Sequence, residues 1–144
     1  MTLREIDPLG AIIAHLRADA LLRNLTDDRI AAKHQFGSGW TVGSAAVTVH
    51  LDGGDTDNEV LMHTPVHIEA RCFGGSQIEA MSVWREVRRI FEDTDRDLVT
   101  TARGSALIYY ILPMINPMPL FDPEIGQDFV YVTARADIAR AEIT

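Results

Sequence analysis

Several stretches of the chain hold residue types able to do chemistry. Gly74-Gly75 follows a strand-like run and opens a helical one, where a glycine-rich turn can cradle a phosphate. His63 and His67, with His50 upstream, are candidate metal ligands. Asp52, Asp55, Asp57 and Glu59 form the kind of carboxylate cluster that binds calcium. Cys72, the sole cysteine, is a candidate nucleophile.

Each falls short of the pattern its chemistry needs. A dinucleotide fingerprint requires G-x-G-x-x-G, and a P-loop requires a lysine after its last glycine; neither is present. Ser76 and Glu79 instead form a capping box, so a carboxylate occupies the first turn where a phosphate would sit. His63 and His67 lie four residues apart on an extended run, about 13 Å, too far to share one metal unless a cross-strand partner such as His50 intervenes. No Cys-x-x-Cys or His-Glu-x-x-His occurs. In the acidic stretch the glycines come early and no helix flanks it, which reads as a solvated turn. Cys72 falls on the apolar side of its run, and no G-x-S-x-G elbow appears. The expectation is a protein with no catalytic residue, cofactor or metal, whose function lies on its surfaces.

The elements that would position such surfaces follow from periodicity. Asp7-Pro8 starts a helix that runs with Leu9, Ile12, Ile13, Leu16 and Ala20 on one face to near Asn24. A short strand is expected at Arg29–Ala32, and a longer one at Ala45–Leu51. Alternation resumes from Val60 to Phe73, with Pro65 implying a bulge, an edge or a break. Ser76 then caps a helix whose apolar face is Ala80, Val83, Trp84, Val87, Ile90 and Phe91, with Trp84 expected in the core. Ser105–Leu112 reads as a strand. Pro113, Pro117 and Pro119 make an extended, protruding connection, and Phe129–Ala134 closes the fold. The class is α+β: a mostly antiparallel sheet of four to five strands with two main helices packed on it, forming one domain over residues 1–144.

Composition narrows the partners. The chain has 144 residues, 47% of them apolar, enough to bury a core without metal or disulfide support. A net charge of −8 argues against a protein that wraps nucleic acid with a basic face. No apolar run approaches the ~20 residues needed to span a bilayer, and the start of the chain shows no signal-peptide pattern, so a soluble protein made in a cytoplasm is expected. The segments 36–43 and 113–122 place Phe36, Trp40, Met114, Met118 and Phe121 in loops. Such side chains either form a small core beneath the loops or mark a contact surface. These five are the candidate assembly-interface residues.

The order of parts resembles the tail terminator, or tail completion, proteins of long-tailed bacteriophages. DPLGAIIAHLRADALLRNLTDDRI, FGGSQIEAMSVWREVRRIF and DPEIGQDFVYVTARADI carry the resemblance across nearly the whole chain. It rests on order and spacing rather than on a catalytic signature. It implies a structural virion protein, assembled in the host bacterial cytoplasm, that forms a ring of typically six copies on the head-proximal end of the tail tube. Such a ring stops tube polymerisation and docks to the head connector or stopper, and genomic DNA passes through its lumen without specific binding. A connector adaptor, a stopper or a tube-like protein is the alternative.

Overall fold

Asp7 accepts a hydrogen bond from the Gly10 N–H at 3.0 Å and, with Pro8, starts α1 (Pro8–Arg17). The computed structural model describes residues 7–33, 40, 43–54, 63–101, 104–114 and 116–141. The expected first helix is broken at Asp19, whose carboxylate caps a second helix, α2 (Ala20–Thr26), by accepting from the Leu22 N–H. Asp19 also receives Arg89 of α3 (Gln77–Asp93) at 2.8 Å, so one side chain starts α2 and ties it to a third helix. Burial works to raise the Asp19 carboxyl, but the Leu22 N–H and the Arg89 guanidinium together hold it below its usual range.

The strands are β1 (Ile30–Ala31), β2 (Ala46–Gly54), β3 (His63–Gly74), β4 (Asp97–Thr101), β5 (Gly104–Pro113), β6 (Met118–Asp122) and β7 (Gln127–Ala141). They lie in the order β1-β2-β3-β7-β5-β4, with β6 also on β7. The β1–β2 pair is parallel and the rest are antiparallel. The α+β class therefore holds, while the count is corrected to seven strands and three helices among the described residues. The added strands are those that local pattern hides. β4 has only five residues, and β6, expected as a protruding connection, is a strand despite Pro119.

Pro65 does not break β3, which stands in unbroken register with β7 from His63 to Gly74. The irregularity lies in the neighbour: β2 bulges between Leu51 and Gly54, where its pairing reaches Val66 beside the proline. β7 is far longer than the expected 129–134 and forms the spine of the sheet. β3 takes one of its edges; β5 (opposite 134–141) and β6 (opposite 127–131) share the other, end to end.

The helices cover one face of this sheet. Ile68, Ala70 and Cys72 of β3 and Val130, Val132, Ala134, Ala136 and Ile138 of β7 meet the buried sides of α1 and α3 in the main core. Trp84 belongs to it, 2% exposed and edge-on to Phe91 with ring centroids 6.4 Å apart. A second cluster on the far face joins Trp40, Ala46, Phe73 and Phe129, and no helix contributes to it.

Candidate assembly surface

Gly74 answers the phosphate question. A Cβ there would lie 2.8 Å from the Glu79 carbonyl carbon and would also strike the Ala80 amide. The glycine exists because the end of β3 presses on the first turn of α3, and the Ser76 hydroxyl, not an anion, accepts the Glu79 N–H at 3.2 Å. The histidines do not converge either: His50 stands opposite Glu69 and His67 opposite Arg135. No group of three metal-ligating side chains occurs among the described residues. Asp55, Asp57 and Glu59 lie outside the described residues. The Cys72 thiol is buried, and that burial raises its pKa well above the usual thiol range.

The surface that remains is the β6–β7 hairpin. Its turn is tightly made: Asp122 Oδ1 accepts the N–H groups of Glu124 at 2.9 Å and Ile125 at 3.1 Å, and the Asp122 carbonyl accepts the Gly126 N–H at 2.7 Å. Gly126 has φ +74°, a conformation that favours glycine. Arg71 of β3 braces the hairpin from the far face. It bonds Glu69 at 3.2 Å, lies 3.9 Å from Asp122 and stacks 5.3 Å from the centre of the Phe129 ring. Gln127 donates from Nε2 to the Ser44 carbonyl at 2.6 Å, holding the start of β7 against the chain leading into β2.

Backbone phase decides what β6 offers outward. The Met114 N–H donates to the Thr133 carbonyl at 2.9 Å, so odd-numbered residues of β7 direct their backbone groups to the β5–β6 side. Met118, Leu120 and Asp122, opposite Tyr131, Phe129 and Gln127, therefore use their backbone groups on β7. Pro119 and Phe121 turn theirs away from it. β6 pairs with β7 alone among the described strands, and Pro119 has no N–H to give a further strand. The edge is thus blunted for ladder extension but rich in side chains: Met118, Leu120 and Phe121 are exposed, and Leu112 and Met114 continue the strip along the end of β5.

The sequence candidates now divide. Met114, Met118 and Phe121 are on this strip, Phe121 at 58% exposure. Trp40 is not: at 7% exposure it packs on Phe73 and Phe129, so its expected place as a loop anchor is corrected to a place in the second cluster. Its apolar surface is consumed by its own chain. Phe36 lies outside the described residues. Besides Leu21, Leu25 and Leu98, the exposed apolar residues that are not sequence candidates include Ile78, 81% exposed at the start of α3. Its signal was present, since position 78 falls off the buried face of the helix.

No protein-family model matches this chain, and no curated protein matches it. Among solved structures it is similar to a chain of the "Virion of native gene transfer agent (GTA) particle", with 13% identity and a TM-score of 0.62. The match covers 92% of this chain and 94% of that one. At that identity the likeness is one of fold, and it spans nearly all of both chains.

Proposed function

We propose that this chain is a structural tail terminator of a phage-like particle: a ring subunit, of typically six copies, that caps the head-proximal end of the tail tube and joins it to the head connector. The observation that carries the reading is the near end-to-end fold likeness to a chain of a gene transfer agent virion. The exposed apolar strip of β5 and β6 supports it, because a protein that works by assembly needs such a surface and a monomer leaves it in water. No step of this function calls for a cofactor or a catalytic group. The negative net charge suits a lumen through which DNA passes without sticking.

Imaging of particles that contain the chain tests the proposal. Several copies in a closed ring between tube and connector are expected, and loss of the chain should leave heads and tails unjoined or tails of uncontrolled length. Density in the tube itself, or within the connector, would assign it to a tube-like protein, adaptor or stopper instead. Absence from the particle would end the structural reading altogether.

A further inference from the structure

We infer that the β6 edge of one copy receives the α2 surface of the next copy, head to tail. This rests on the ring reading above and adds the two surfaces that make the contact. α2 leads by a short turn into β1, the edge strand of the sheet opposite to β6. Along the path β1-β2-β3-β7-β6 the two edges are separated by roughly 19 Å of inter-strand spacing. On α2, Leu21 is 63% exposed and Leu25 lies one turn further along the same exposed side. On β6, Met118 and Leu120 are exposed on the face they share with Tyr131 and Phe129, and Phe121 is exposed on the other face of the same edge.

The rims are complementary in charge. Around α2, Arg89 holds both Asp19 and Glu86, Arg23 faces Asp28 and Arg29 faces Asp27, and the exposed Arg17 has no carboxylate at ion-pair distance among the described residues. Around the hairpin, Arg71 holds both Glu69 and Asp122, and Glu124 and Asp128 have no cation at that distance among the described residues. The α2 patch therefore offers the cation of Arg17 beside its apolar centre, and the hairpin offers the carboxylates of Glu124 and Asp128 beside its own. Because the patches differ and sit at opposite edges, docking one on the other is a heterologous contact that repeats with the same rotation, the type of contact from which a closed ring is built when that rotation divides a full turn. Pro119 directs the contact to side chains rather than to an added strand.

Cross-linking in the assembled particle tests this. Leu25→Cys and Leu120→Cys are introduced singly and together, and purified particles are treated with a short bis-maleimide; the buried Cys72 thiol stays silent. The double variant should give a ladder of linked species ending at the ring number, and neither single variant should give linked chains. Dimers from either single variant would mean that like surfaces meet and would overturn the inference. No ladder from the double variant, in particles whose images show a ring, would overturn it while leaving the ring reading intact. A lone copy per particle would remove both. As a second measurement, Glu124→Arg should lower the ladder roughly tenfold or more, and adding Arg17→Glu to the same chain should restore it. A combined variant that is worse than either alone would refute the pairing.

Discussion

Trp40 and Phe121 both entered as loop aromatics, and the structure assigns them opposite fates that a denaturation experiment can separate. Trp40 is 7% exposed. A tryptophan hides on the order of 200 Å² in such a place, which at ~25 cal/mol per Å² is a ceiling of about 5 kcal/mol. The unfolded chain already hides part of that area, and alanine retains a little, so Trp40→Ala should cost about 3 kcal/mol. Phe121 is 58% exposed, hides less than half of a smaller side chain and packs at an open edge. Phe121→Ser should cost about 1 kcal/mol. With a slope of roughly 1–3 kcal/mol per molar urea for a domain of this size, the first variant moves the midpoint by about 1–3 M and the second by about a third of that at the same slope. The assay is urea titration of the isolated protein by circular dichroism, with parallel counting of joined particles. Phe121→Ser should nevertheless impair joining. Equal midpoint losses for the two variants would refute the division between core and surface, and an unchanged Trp40→Ala would remove the second cluster from the fold.

Three further outcomes follow from the same structure. Gly74→Ala forces a methyl into the α3 backbone and should cost about 1–3 kcal/mol in thermal unfolding; a neutral result would show that the strand–helix junction can shift. Trp84→Ala should cost about 3–5 kcal/mol, read as a lower melting temperature. Burial lowers the pKa of His15 against the partial pull of Asp97 and Asp19, and its Nε2 lies 2.9 Å from the Thr94 hydroxyl. The unfolded chain then binds more protons, so the His15 contribution is full above the ordinary histidine value of 6.5 and fades as pH falls through the window between 6.5 and the lower folded value. His15→Gln should flatten stability across that window, and an unaltered slope would place the titration elsewhere.

What was legible in the sequence was local. Asp7-Pro8 and Ser76-x-x-Glu79 announce helix starts because a cap is read from a few neighbouring residues, and both caps are in place. The break at Asp19 was hidden because the apolar periodicity of α1 runs on into α2; only the side-chain bond to Leu22 distinguishes a cap from one more polar residue. In the sequence β6 looks like a connection because prolines argue against strands, yet Pro119 sits where its missing N–H faces away from β7. The far half of β7 escaped notice because Ala134 and Ala136 carry the buried face with small side chains, which weakens the alternation. Of the candidate surface, the apolar content of 113–122 was plain, but whether Trp40 faced inward depended on Phe73 and Phe129, remote partners that no local pattern names.

The placement of β7 also sets a timetable. It is the last of the described strands in chain order, yet β3, β5 and β6 all pair with it. During synthesis the β2–β3 and β4–β5 hairpins can form early, but each must wait with an unpaired inner edge until residues 127–141 emerge. The nascent chain thus carries the inner edges of β3 and β5 unpaired until β7 is made, a window in which chains of neighbouring ribosomes can pair wrongly. Slow elongation through the codons for residues 127–141, or a shortage of chaperones, should therefore reduce the soluble yield of this protein more than its stability once folded would suggest.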